Sequence, residues 1–90
     1  SNESAREFLE EELPGIDFRQ FDSETMNTIE VFFASGLNIA EAARALYLHR
    51  NTLVYRLDKF KKTTGCDLQN FDDAVKIRIG MLLSQKLNQE

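Results

Sequence analysis

No stretch of this 90-residue sequence alternates apolar and polar residues as a half-buried strand must. Apolar residues recur instead at three- and four-residue spacing, and the runs are punctuated by residues that start and stop helices. The expected fold class is therefore all-α, a small helical domain of about five helices containing a helix-turn-helix. Ser4 and Glu7 form a capping-box pattern, followed by Phe8, Leu9 and Leu13 on one side, and Pro14-Gly15 ends that helix. Ile16, Phe18 and Phe21 anchor a short linker to the core. A second helix starts at Asp22 or Ser23, carries Met26, Ile29, Phe32 and Phe33 in one stripe, and closes on Gly36.

Asn38 caps a third helix, with Glu41 completing the capping box and Ile39, Ala42, Ala43 and Leu46 facing inward. A fourth helix runs from just after Leu48 to about Thr63, with Leu53, Leu57 and Phe60 inward and Gly65 as terminator. Asn70 caps the last helix, whose apolar positions are Val75, Ile79, Leu82 and Leu83. Gly80 lies inside it at a cost of about 1 kcal/mol relative to alanine. Two readings stand for this glycine: room for a neighbouring helix, or no role.

The spacing of the third and fourth helices matches a DNA-binding helix-turn-helix, in which two helices cross steeply through a short turn. A steep crossing favours small residues, and Ala42, Ala43 and Ala45 supply them. Leu46 and Leu48 bracket the turn. Tyr47 stands where glycine is usual, so the turn is expected to have ordinary or mildly strained dihedrals.

Charge at first opposes a nucleic-acid partner, because the net value is −4. Its distribution reverses that inference. Residues 1–30 carry nine acidic and two basic side chains, whereas residues 31–90 carry six acidic and nine basic. Between 44 and 62 lie Arg44, Arg50, Arg56, Lys59, Lys61 and Lys62 against Asp58 alone. A phosphate backbone feels the field within a Debye length of about 8 Å, so this local excess is what counts. With Leu53 and Leu57 turned inward, Thr52, Tyr55 and Lys59 fall on the far side of the fourth helix. Asn51 and Lys62 lie beside them and Arg56 on the flank. His49 and Arg50 project from its N-terminal end, the end that meets base edges in this motif. The candidate DNA-binding residues are thus His49, Arg50, Asn51, Thr52, Tyr55, Arg56, Lys59 and Lys62.

His49-Arg50-Asn51-Thr52-Leu53 followed by Tyr55-Arg56-Leu57 resembles the C-terminal helix-turn-helix of PucR/CdaR-type bacterial regulators. The likeness extends upstream through the alanine-rich Asn38–Leu46 segment and downstream through Thr64-Gly65, Asp67-Leu68 and the final helix, about residues 24–85. The turn and second helix are also similar to the factor-for-inversion-stimulation type. Departures are Val54 at a commonly basic position, Phe71 where a proline often begins the last helix, and Cys66 in place of an aliphatic residue. The resemblance implies a C-terminal output domain of a longer transcriptional regulator, its sensory domain lying upstream. Residues 1–21 would then be the N-terminal helix and linker at the end of that upstream region, and residues 22–90 the helix-turn-helix domain.

Alternatives remain for single residues. Asn51 either caps the fourth helix or contacts a base, and Thr52 shares the capping option. His49 either completes the turn or touches phosphate. Tyr55 either donates to phosphate or lies half-buried against the preceding helix, and Arg56 either contacts DNA or pairs with Glu41 or Asp58. The rival functional class is a helical protein–protein interaction module with a basic face. The expected partners are double-stranded DNA and a second copy in a homodimer. No cofactor or metal is expected, and no nucleophile–base pair or phosphate loop suggests an enzyme. One cysteine, Cys66, and no apolar run near the roughly 18 residues of a membrane span lead to a cytoplasmic expectation.

Overall fold

A computed structural model describes residues 1–89. Five α-helices follow one another: α1 (Asn2–Glu12), α2 (Ser23–Ala34), α3 (Ile39–Leu46), α4 (Arg50–Thr64) and α5 (Phe71–Leu87). A single 3-10 turn, Phe18–Gln20, lies between α1 and α2, and no strand occurs among the described residues. Side-chain oxygens that satisfy free N–H groups set most of the helix starts. Asp22 accepts from Thr25 N–H at 2.8 Å, Asn38 from Glu41 N–H at 2.9 Å, and Asn70 from Asp73 N–H at 3.0 Å. The Asn38 N–H itself donates to Ser35 O, so the reciprocal half of the expected capping box is occupied by the preceding turn. The first helix starts earlier than its Ser4–Glu7 pattern implied. Ser1 is its cap, accepting from Ser4 N–H at 3.2 Å, because a serine three residues upstream offers the same chemistry.

Ile29 and Phe32 of α2, Ala42 and Ala43 of α3, Leu53, Leu57 and Phe60 of α4, and Ile77 and Met81 of α5 form one core. Leu13 and Phe18 enter that same core from the N-terminal segment. Full burial of a side chain such as Leu53 contributes about 1.5–3 kcal/mol. α3 packs against both α2 and α4, whereas α1 packs on α5. Gly80 has a role after all. A Cβ there would meet Leu13 Cδ1 and stand 3.1 Å from Phe18 Cε2, so the missing side chain admits the end of α1 and the turn beyond it.

Two expected faces differ from those observed. Ala45 is exposed, because the inner surface of α3 is centred between Ala42 and Ala43 and Ala45 lies well off that centre. In α5 the buried positions are Ala74, Ile77, Gly80 and Met81, while Val75, Ile79 and Leu82 face outward. Both sides of α5 carry apolar residues, so periodicity alone has two solutions. Packing of Leu13 and Phe18 against Gly80 selects the one built on small residues.

Candidate nucleic-acid interface

α3 and α4 are joined by Tyr47, Leu48 and His49, a three-residue turn of the length the motif requires. The closure of α3 is a Schellman motif: Tyr47 N–H donates to Arg44 O at 3.2 Å and Leu48 N–H to Ala43 O at 2.9 Å. That motif places one residue in the left-handed region, and here it is Tyr47, at φ 56° and ψ 40°. Of the two expectations, ordinary or mildly strained dihedrals, the chain adopts the second. The hydrogen-bond pattern demands φ > 0 whatever the side chain, and a left-handed conformation costs a non-glycine residue about 1–2 kcal/mol.

His49 is the cap of α4. Its Nδ1 accepts from Asn51 N–H at 3.0 Å, which leaves the ring proton on Nε2 as an outward donor. The capping alternative for Asn51 and Thr52 therefore falls away: both lie inside the first turn of α4, exposed. Arg50, Asn51, Thr52, Tyr55, Lys59 and Lys62 are all exposed, with Tyr55 65% accessible; the last five share the outer side of α4 and Arg50 stands at its N-terminal end. No ion pair involves Arg50, Lys59 or Lys62 among the described residues. The structure thus leaves five of the eight candidates together on one open side of α4, with His49 and Arg50 at its N-terminal edge.

Arg56 is turned elsewhere. Its Nη1 donates to Thr28 Oγ1 at 3.1 Å, and its Nη2 lies 3.5 Å from Glu24 Oε1. Thr28 is almost wholly buried and its hydroxyl donates in turn to Glu24 O at 2.9 Å. This chain ties α4 to α2 and satisfies every buried polar atom on the way. The pairing with Glu41 or Asp58 weighed from sequence is replaced by a partner on another helix. No local signal marks Thr28, since its role depends on the α2–α4 crossing. Lys61 is also drawn aside, 3.7 Å from Asp67.

A groove of ≈ 580 Å³ runs between α2 and α4, lined on one wall by Thr52, Tyr55 and Lys59 and on the other by Asp22, Glu24 and Thr25. A hydrogen bond from the Thr25 side chain, with a second from the Thr25 N–H, holds the Asp22 carboxyl below its ordinary value, helped by the charges of Lys59 and Arg56. Two carboxylates, of Asp22 and Glu24, bound the positive surface on the α2 side. Val54 is half-buried, pointing away from the most open part of the helix. Among the described residues, no group of three or more His, Cys, Asp or Glu side chains could hold a metal, and no helix is long and apolar enough to cross a membrane.

Residues 25–83 match the family model of the PucR C-terminal helix-turn-helix domain. The purine catabolism regulatory protein of Bacillus subtilis (strain 168) is 29% identical over 70 residues, 78% of this chain and 13% of that protein. The carbohydrate diacid regulator of Escherichia coli (strain K12) is 36% identical over 59 residues, 66% of this chain and 15% of that protein. A solved structure, the regulator of polyketide synthase expression from Bifidobacterium adolescentis, superposes with a TM-score of 0.68 at 26% identity, over 94% of this chain and 34% of that one. This chain therefore spans about an eighth to a third of the proteins it matches. The match covers the α2–α5 frame and the whole exposed surface of α4, and on it the chain belongs to the PucR C-terminal helix-turn-helix family, DNA-binding domains of transcriptional regulators.

Proposed function

We propose that this domain binds double-stranded DNA sequence-specifically, with the N-terminal half of α4 in the major groove. The observation that carries the reading is the open side of α4: Asn51, Thr52, Tyr55, Lys59 and Lys62 are exposed together, with Arg50 exposed at the N-terminal end, while the other side is locked into the core. Arg50 has the geometry to donate twice to guanine O6 and N7, and Asn51 to pair with adenine N6 and N7. Lys59 and Lys62 hold phosphates, as does the outward His49 Nε2–H. Arg56 sets the angle of α4 on α2 from behind. Val54 withholds a cation from the middle of the helix, which concentrates readout at its start.

The domain acts as the output end of a longer regulator, since it spans 13% and 15% of two full-length relatives. Residues 1–21 belong to the end of the upstream region and fall outside the matched segment 25–83. The active species is a homodimer reading two half-sites about one helical turn apart or a multiple of it. Support for a second copy comes from the outer side of α5. Phe71, Val75, Ile79 and Leu82 are 70%, 38%, 37% and 54% exposed and lie within about 80° of one another around the helix. With Phe33 and Leu37 the first three border an apolar groove of ≈ 380 Å³. Asp72 and Asp73 open α5 and Lys86 closes it, so a copy packed antiparallel across a two-fold axis would set unlike charges against each other.

Anisotropy titration of duplexes from the regulator's own promoter, against scrambled duplexes, tests the reading. Arg50→Ala is expected to narrow the difference between them by about 1–3 kcal/mol. An undiminished difference would remove α4 from sequence readout. Leu82→Glu is expected to shift the sedimentation profile of the full-length regulator toward monomer, and an unchanged profile would place the dimer contact elsewhere.

A further inference from the structure

Tyr47 is 96% exposed, and its backbone is left-handed. Its ring buries almost nothing, and its dihedrals are those a glycine adopts without strain. Glycine does occupy the matching position at the end of α2. There Gly36 N–H donates to Phe33 O at 3.0 Å and Leu37 N–H to Phe32 O at 3.1 Å, the same pair of bonds that closes α3. One other non-glycine residue among those described has positive φ, Leu37 at 62°, and its side chain packs against the core. Burial therefore compensates the strain at Leu37. No burial of the side chain compensates it at Tyr47.

The location suggests what does. In a helix-turn-helix the first helix crosses the sugar–phosphate backbone and the second enters the groove by its N-terminal end. The turn joining them faces the wall of the groove, and Tyr47 is an exposed side chain of that turn, two residues before the outward His49 Nε2–H. A phenol offers one O–H donor at the end of a rigid ring, with few rotamers to immobilise. The acids at the edge of the recognition surface, Asp22 and Glu24, line the α2–α4 groove and not this turn.

We propose that Tyr47 is a DNA contact, its hydroxyl donating to a backbone phosphate beside the major groove entered by α4. The inference rests on the DNA-binding reading above and adds a residue to it. The contact is independent of base sequence. It is also independent of counterion release, because a neutral phenol displaces no cation from the duplex.

The test uses a generic 30-base-pair duplex between about 50 and 200 mM salt, full-length regulator, and the variants Tyr47→Phe, Tyr47→Gly and Lys59→Ala. Loss of one hydrogen bond to a phosphate should weaken binding by Tyr47→Phe about three- to tenfold, and Tyr47→Gly at least as much. Both should keep the wild-type slope of log affinity against log salt, whereas Lys59→Ala should reduce that slope by about one. Tyr47→Gly should melt at or above the wild-type temperature. Wild-type affinity in both Tyr47 variants would overturn the proposal and leave DNA binding intact. A lower melting temperature in Tyr47→Gly would overturn it too, by giving the ring a role in the fold. Failure of the wild-type protein to bind any duplex would overturn both readings.

Discussion

The turn into α3 and the turn into α4 are built alike and used differently. Each begins with a Schellman closure, at Gly36 in one and Tyr47 in the other, and each ends on a side-chain cap, Asn38 in one and His49 in the other. The first turn uses the residues that local physics favours: glycine where φ is positive, asparagine where N–H groups need an acceptor, and Leu37 folded back on the core. The second uses a tyrosine and a histidine, poorer choices for the same two tasks. What they add is exposed chemistry, a phenol and an imidazole N–H beside the outer side of α4. The difference teaches that a turn serving only the fold converges on the cheapest residues. A turn that also serves a partner departs from them.

Four substitutions break or sharpen that comparison, all read by thermal unfolding. The largest effect is expected from Gly36→Ala. Nothing lies within 4 Å of an added Cβ, so the cost is purely that of left-handed backbone, about 1–2 kcal/mol. For a domain of this size that lowers Tm by roughly 4–8 °C per kcal/mol. Asn38→Ala comes next, at about 1 kcal/mol for a lost cap. A third, smaller change of opposite sign is expected for Tyr47→Gly. Relief of backbone strain outweighs the entropy that glycine adds to the unfolded chain, which is about 0.4–1 kcal/mol. If Tyr47→Gly instead destabilised as much as Gly36→Ala, the two turns would not differ in kind.

Asp22 supplies the smallest effect and the one that depends on pH. Its carboxyl titrates below its ordinary value in the folded state because it accepts hydrogen bonds from the Thr25 side chain and from the Thr25 N–H. Its contribution is thus complete above the unfolded carboxylate value of about 4 and is lost as pH falls through the lower folded value. Asp22→Asn caps equally well at neutral pH, so it is expected to leave Tm unchanged there and to flatten the decline below pH 4. An unaltered acid profile would assign that decline to other carboxylates.

Where a feature is decided by residues three or four apart, the sequence reveals it. Asn38 and Asn70 cap the helices they were expected to cap, Asp22 is the one of the two candidates that caps α2, Gly36 and Gly65 close their helices, and Leu53, Leu57 and Phe60 are the inward side of α4. Where tertiary packing decides, the sequence is ambiguous. The inner face of α5 follows from Gly80 meeting Leu13 and Phe18, contacts more than sixty residues apart along the chain. Arg56 turns inward because Thr28 is buried opposite it. Tyr47 is left-handed because hydrogen bonds to Ala43 and Arg44 require it, and nothing in a tyrosine announces that conformation.

The central claim is that the exposed N-terminal half of α4 is a DNA-reading surface. Its most direct measurement is the affinity of the full-length regulator for a promoter duplex between about 50 and 200 mM salt, with wild-type protein and Arg50→Ala side by side. The account predicts that log affinity falls linearly with log salt at about −0.9 per phosphate contacted, and that Arg50→Ala loses preference for the promoter over scrambled DNA. Equal affinity for both duplexes before and after the substitution, or no binding at 50 mM salt, would contradict it.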